Sequence, residues 1–490
     1  MFDRFRLLSM MLACCSALAL ALAGAASGAV VAAGPGSLPH IEVDADGAGY
    51  LTWVQGDSSA FRYCKLPATA TACTAPFSYA DTSQDVEGGY ALLPGDGRVL
   101  LVDARGVSPQ INKLLWTSTD GGMTFGAPTQ IAGMAVNGAN IGAGALYVRP
   151  GMLGLGAESI FTLGKLQGSS AAFQASGVGP STATATADLA PSVSTSLAVQ
   201  GDTLLVALSD FNQLSWSRYA GPVPATPETL NAAANWTAPA LIGPRYAAQL
   251  ETRLVAGPGG IYVGYAIETG PARDAFVVRR FDGTGWGAPQ TIATDIDFPD
   301  LYEDPSGRLH AIWADPAGLH YTYATNTTNT AWSEPQTVST GDNFAFARLA
   351  VNAAGNGWAA WAGGTGVKAI PLHGTYSGPQ TTVETSGSGA SYTLGVPKSC
   401  VSPGQRFRVT LTWKRQRRKG NLFVKVKRAD FYLGTSRVRI DTKVPFVHTY
   451  DVRVTQRPGS TLRLRARAFI KVKHGKTPKK SIIAKVKVCS

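Results

Sequence analysis

The chain has 490 residues, with 44 Lys and Arg against 32 Asp and Glu and a formal net charge of +12. That length exceeds one ordinary domain. Beyond the N-terminal segment nothing approaches the roughly 18 consecutive apolar residues of a membrane-spanning helix. The six histidines show no HxH or HExxH pairing, and no GxSxG elbow, P-loop or dinucleotide fingerprint is present. No cofactor is expected. Residues 1–29 read as a secretory signal: Arg4 and Arg6 precede an apolar run from Leu7 to Ala23, and Ser27-Gly28-Ala29 offers small residues for cleavage. The expected mature protein is exported, soluble and secreted or held at the cell surface. High Ala and Gly, with Arg over Lys up to residue 380, read as bacterial.

Residues 30–380 carry a weak repeat of about fifty residues. One half is an apolar strand, an Asp/Asn/Gly turn and a strand ending in an aromatic. It appears as Val43-Asp44-Ala45-Asp46-Gly47 to Trp53, Glu303-Asp304-Pro305-Ser306-Gly307 to Trp313, and Val351-Asn352-Ala353-Ala354-Gly355 to Trp361. The other half is an aromatic three residues before proline: Phe125 and Pro128, Trp236 and Pro239, Trp286 and Pro289, Trp332 and Pro335. Strand centres fall near residues 53, 102, 155, 206, 264, 312 and 360. Such a period predicts an all-β chain forming a β-propeller of about seven blades, six to eight being compatible with the faint third unit. Trp53, Trp313 and Trp361 are expected to pack between blades.

Within the second unit, Ser118-Thr119-Asp120-Gly121-Gly122-Met123-Thr124-Phe125 closely resembles the Asp-box turn of sialidase-like propellers. The resemblance gives Ser118, Asp120, Gly122, Thr124 and Phe125 a structural role on the rim. Ser118 and Asp120 would bond the turn backbone, the glycines would permit positive φ, and Phe125 would fill space between strands. A sialidase also needs a three-arginine clamp, a Tyr–Glu nucleophile pair and an acid/base Asp. The Phe-Arg-Ile-Pro-type motif of its first arginine is absent here.

Aligning the repeats on their turns puts His40, Asp300 and Arg348 at the start of innermost strands, near one mouth of a central channel, with Arg253 one position off. His40, Arg253 and Arg348 are therefore candidate ligand-binding residues. Asp297, Asp300 and Glu303 are candidates for a paired catalytic acid and base.

Residues 381–395, rich in Ser, Gly and Thr, read as a linker. Residues 395–490 then hold 26 Lys and Arg against 3 Asp and Glu, leaving 18 and 29 for residues 1–394. An acidic propeller is thus followed by a basic domain. Its strands alternate apolar and basic residues, as in Leu462-Arg463-Leu464-Arg465-Ala466-Arg467-Ala468. Ala429-Asp430-Phe431-Tyr432-Leu433-Gly434, with Val438, Asp441, Pro445-Phe446 and Tyr450, resembles a bacterial immunoglobulin-like domain. That implies a small β-sandwich over 396–490 serving as a spacer or attachment module.

Two basic loops are expected to hold anionic cell-wall polymers or acidic glycans: Lys414, Arg415, Arg417, Arg418 and Lys419, then Lys471, Lys473, Lys476, Lys479 and Lys480. Docking on the acidic propeller is the alternative, and sequence-specific nucleic-acid reading is not expected. Cys64, Cys73, Cys400 and Cys489 remain after the signal and allow three disulfide connectivities. Local pairing, Cys64 with Cys73 and Cys400 with Cys489, is favoured over metal binding. The expected function is non-catalytic binding of carbohydrate or a protein partner at the cell surface, the alternative a divergent sialidase-like glycoside hydrolase.

Overall fold

The computed structural model describes residues 30–489 apart from 69, 82–84, 108–109, 136–143, 166–169, 179–186, 192–193, 211–212, 245–251, 271–272, 373–379, 402–404, 417–422, 453–458 and 474–476. The expected signal, 1–29, lies outside the described residues. Val30–Leu372 and His373–Ser490 form separate compact units.

Alternating apolar residues bounded by Gly and Asp turns build Val30–Leu372 into seven four-stranded antiparallel sheets among the described residues. The first takes Ser37–Val43, Gly49–Val54, Ala60–Leu66 and Thr74–Ala80 in that order. The next five begin with Asp85–Leu92, Ala145–Val148, Ser194–Gln200, Thr252–Gly257 and Asp297–Glu303. The seventh takes Ala345–Val351, Gly357–Gly363 and Gly366–Leu372, then borrows Val31–Gly34 from the start of the unit as its outermost strand. The first strand of each sheet touches that of the next, and Ala345–Val351 returns to Ser37–Val43, so the ring closes. This is an all-β propeller. Radial arrangement leaves each sheet only short, protected edges in place of the long open edge that one extended sheet would expose.

The core lies between neighbouring sheets. Trp361 packs with Ile312, Leu319 and Val338 of the sixth sheet, Trp313 with Tyr262 and Phe276 of the fifth, and Trp53 with Trp358 and Ala360 of the seventh. All three expected tryptophans are 4% exposed or less. Trp236, Trp286 and Trp332 form isolated bridges to Tyr219, Phe281 and Ala324, just ahead of outermost strands. The third unit differs from expectation. Leu155 sits beside a 3-10 turn, Met152–Gly154, flanked by Gly151 at φ 91°, and the strand proper is Ser159–Lys165.

The turn after Ser118 is braced from inside. Gly122 N donates to Ser118 Oγ at 2.8 Å, Met123 N and Thr124 N each donate to Asp120 Oδ1 at 3.0 Å, and Thr124 Oγ1 donates to Asp120 Oδ2 at 2.6 Å. Gly122 has φ 82°, and a Cβ there would lie 2.3 Å from the Tyr63 hydroxyl, so only glycine fits. The Phe125 ring meets Tyr63 edge-on at 5.0 Å. Tyr63 and Lys65 of the first sheet donate to the carbonyls of Gly122 and Gly121, tying this turn to its neighbour.

His373–Ser490 contains two four-stranded antiparallel sheets that share one core of Tyr392, Leu394, Phe407, Leu411, Phe431, Leu464 and Ile470, among others. One sheet comprises Gln380–Gly387, Ala390–Pro397, Arg406–Arg415 and Phe446–Asp451. The other has the order Ser436–Asp441, Phe423–Leu433, Thr461–Val472, Lys479–Lys487. The stretch 381–395, expected as a linker, carries most of a hairpin in which Thr381 faces Val396 and Ser386 faces Ser391. The Ser/Thr composition conceals an alternation that buries Ala390, Tyr392, Leu394 and Val396, and threonine favours strands. The turn itself is Gly387-Ser388-Gly389, with Gly389 at φ 82°.

Two disulfides, Cys64–Cys73 and Cys400–Cys489, are present. The second spans a sequence separation of 89 and ties the segment after Ala390–Pro397 to the segment after the last strand, Lys479–Lys487. Replacing Cys400 and Cys489 together by serine is expected to cost this unit about 4 kcal/mol through the freed unfolded chain. Thermal unfolding of the full chain should show one transition lowered and the propeller transition unmoved.

Candidate functional site

The innermost strands meet around a cavity of about 250 Å3 lined by residues of six sheets. Its lining includes the polar side chains of His40, Glu42, Tyr90, Arg253, Tyr302 and Glu303 and the apolar ones of Leu146, Leu197, Val199 and Leu254.

A repeated backbone irregularity places the polar residues. Leu38, Phe298 and Phe346 have φ of 50°, 47° and 51°. Each stands two residues before His40, Asp300 or Arg348, and the pairing register shifts across each step. Positive φ is costly for bulky residues, so these bulges hold only because surrounding packing enforces them. Three neighbouring sheets thus offer equivalent positions at the same level of the ring.

His40 is 6% exposed. Its Nε2 lies 3.7 Å from Glu42 Oε1, and its ring stands edge-on to Tyr90 at 4.8 Å. Burial, then the positive charges of Arg253 and Arg348, hold the imidazole well below its usual pKa, so it is neutral at pH 7. Its Nδ1 is buried with no hydrogen-bond partner. Arg253 Nε lies 3.4 Å from Asp300 Oδ1, and Asp300 Oδ2 accepts the Leu349 amide at 3.1 Å. Arg348 Nη1 donates to the Ala347 carbonyl at 2.8 Å.

Glu42 and Tyr302 both line the cavity and influence each other's ionisation. Burial pushes the Glu42 carboxyl up to about 7, with Asp300 adding to the rise and Arg253 and Tyr302 opposing it. Tyr302 is pushed well up by burial and by the Glu42 charge, and Tyr90 is raised by burial. Both phenols therefore remain protonated donors.

The expected residues thus occupy different settings. His40 and Arg253 line the cavity. Arg348 acts on His40 through its charge. Asp300, 2% exposed, is held by Arg253 and a backbone amide. Glu303 reaches the next hairpin, where its Oε1 accepts the Gly259 amide at 2.6 Å, and burial raises it to about 7. Asp297 is exposed at the start of its strand. Glu42, Tyr90 and Tyr302 escaped the sequence reading. Glu42 and Tyr302 each stand two residues beyond an aligned position, His40 and Asp300, so strand alternation applied to those positions would have found them.

Of the expected basic loops, Arg417, Arg418, Lys419 and Lys476 lie outside the described residues. Contrary to expectation, Lys414 and Arg415 close the strand that enters the first loop, and Lys471 and Lys479 lie on the strands flanking the second; these four and Lys473 are exposed. Lys480 is half-buried, and its Nζ lies 3.3 Å from where a Cβ on Gly387 would stand.

No family model matches the chain, and no curated protein matches it. Solved structures similar to it include an α-L-arabinanase from Penicillium chrysogenum complexed with arabinobiose, at 12% identity over 57% of this chain and 89% of that one, TM-score 0.38. A second is the fungal Aleuria aurantia lectin, a six-bladed β-propeller, at 11% identity over 64% and 91%, TM-score 0.35. A third is the Kuenenia stuttgartiensis hydrazine synthase, at 12% identity over 69% and 96%, TM-score 0.44. The class of this chain, a β-propeller protein with a second all-β unit, rests on its own closed ring of sheets.

Glu42 and Glu303 make a pH prediction. In the unfolded chain both ionise near 4.5, whereas in the folded chain they keep protons to about 7. The folded state therefore binds more protons between those values, and stability falls as pH rises through that window. Urea unfolding at pH 5 and pH 7.5 should show this loss. Glu42→Gln, which keeps a neutral side chain of the same shape, should reduce it.

Proposed function

We propose that this is an exported, non-catalytic propeller that binds a small polar ligand, a carbohydrate unit, in its central cavity. The observation that carries this reading is the convergence of Arg253, Glu42, His40, Tyr90 and Tyr302 on one cavity that Leu146, Leu197, Val199 and Leu254 also line. Sugars present both polar edges and apolar faces, and convergent polar groups beside apolar lining are the usual make-up of a small-molecule site. The cavity volume suits one sugar unit rather than a chain. A neutral imidazole and two protonated phenols serve hydroxyl groups, and Arg253 favours an acidic substituent. The basic sandwich, immunoglobulin-like by its sequence pattern, attaches the protein to anionic polymers at the cell surface.

Isothermal titration of the full chain against a panel of neutral and acidic monosaccharides tests this. Arg253→Gln is expected to weaken the best acidic ligand at least tenfold, and Tyr90→Phe to weaken neutral and acidic ligands alike. A correctly folded wild-type chain that binds no member of the panel at millimolar concentration would overturn the reading.

One observation favours hydrolysis as a second reading. Glu42 and Tyr302 stand together beside Arg253, a Glu–Tyr pairing of the kind a sialidase-like nucleophile requires. In that role Glu42 would take the Tyr302 proton as the phenol oxygen attacks the anomeric carbon and the glycosidic bond breaks, the fluorogenic aglycone leaving as its phenolate; water then hydrolyses the glycosyl–tyrosine bond. Turnover of fluorogenic sialosides that disappears in Tyr302→Phe is then expected. Turnover equal in wild type and variant would remove the pair from any catalytic role.

A further inference from the structure

The outer face of the sheet ordered Ser436–Asp441, Phe423–Leu433, Thr461–Val472, Lys479–Lys487 carries a charge pattern that the loop assignments missed. Along Thr461–Val472 the apolar residues Leu462, Leu464, Ala466, Ala468 and Ile470 are buried in the core, and Arg463, Arg465, Arg467 and Lys471 stand on the opposite side. Residues two apart on a strand repeat every ~6.6–6.8 Å, so three arginines form a straight, evenly spaced row. Lys485 pairs in register with Arg463, and Lys487 with Thr461, which widens the row.

Aromatic rings hold the guanidinium groups in place. Arg465 and Arg467 lie over Tyr432 at 4.0 and 5.3 Å, and Arg428 lies over Phe469 at 4.0 Å. Stacking of this kind fixes the plane of the fork and lowers the entropy lost when it binds an oxyanion. Asp430, 1% exposed, is the one carboxylate ion-paired to this face among the described residues, and it takes Arg428 and Arg437. Asp430 also stands opposite Arg467 in the strand register, while Arg463 and Arg465 face no carboxylate of the sheet.

We infer that this sheet face, rather than the basic loops, is the attachment surface, and that it holds a linear phosphodiester polymer of polyol or sugar repeats laid along Thr461–Val472. The inference rests on the proposed attachment role and gives it a place and a partner. Three features select the partner. Arginine forks match phosphate oxygens two at a time. A glycan with a carboxylate on alternate sugars spaces its charges too widely for a row with a cation at every second residue. Single-stranded nucleic acid draws much of its affinity from bases stacked on open aromatic rings, and here Tyr432 and Phe469 are already covered by arginine.

The test uses the full chain against immobilised poly(glycerol phosphate), with hyaluronate and a single-stranded oligonucleotide as rival probes. Poly(glycerol phosphate) is expected to bind most tightly. Arg463→Gln/Arg465→Gln/Arg467→Gln should weaken it at least tenfold and reduce the log–log salt slope by about two, the share of three lost phosphate contacts. Lys414→Gln/Arg415→Gln/Lys473→Gln removes the same charge from the loops and should change affinity less than threefold. The charge-conserving triple Arg→Lys at 463, 465 and 467 keeps the apolar stems and guards against misfolding. It should also lose several-fold in affinity. Equal loss in the two Gln triples would overturn the face while leaving attachment intact. Tighter binding of hyaluronate or the oligonucleotide would overturn the phosphodiester assignment. A folded wild-type chain that binds none of the three at low salt would overturn both the face and the attachment role.

Discussion

Everything in the propeller depends on the pairing of Val31–Gly34 with Gly366–Leu372. Without it the seventh sheet would have three strands and an open edge, and the ring would be held only by side-chain packing between sheets. With it, backbone hydrogen bonds join the first residues of the unit to the last. The cavity exists because the ring is closed. Its wall is assembled from strands remote in sequence, each fixed in place by its neighbours on both sides. Gly366 and Gly34 lie at this seam, and a Cβ on Gly366 would meet the Gly34 carbonyl at 2.2 Å, so the seam tolerates no side chain there.

The site electrostatics follow from that closure. Burial raises Glu42 and Glu303 and lowers His40, because a charge taken from water costs more than it recovers unless a partner stands close. Arg253 has such a partner in Asp300. The positive-φ bulges at Leu38, Phe298 and Phe346 are local costs accepted at three equivalent strand positions, each two residues ahead of a polar group of the site. That repetition links strain to placement: the register shift sets Asp300 against Arg253 and brings the Arg348 charge to bear on the neutral His40.

The sandwich solves a different problem with simpler means. Strict alternation puts small apolar residues inward and cations outward on Thr461–Val472 and Lys479–Lys487, and the aromatic residues among them carry stacked arginines. Like charges so close repel one another, and stacking on Tyr432 and Phe469 offsets part of that repulsion while fixing geometry. The Cys400–Cys489 bond closes this unit on itself, which suits a domain whose surface charge works against compactness.

Period and alternation were legible in the chain: the fifty-residue repeat, the inter-sheet tryptophans, both cysteine pairs and the outward cations of the last strands. These depend on neighbours close in sequence, or on patterns that any strand imposes on its side chains. The stretch 381–395 misled because composition was weighed above alternation, and Leu155 because an apolar residue in a turn resembles one in a strand. His40 and Arg253 could be placed by aligning turns, since the repeat carries position. Glu42 and Tyr302 could not be joined, because one comes from the first sheet and the other from the sixth, and only the closed ring brings them to one cavity. The sequence by itself determined the strands, their faces and the charge each unit carries. The tertiary structure alone decided which polar groups share a cavity and in what protonation state, because burial and convergence are properties of the assembled ring and not of any one strand.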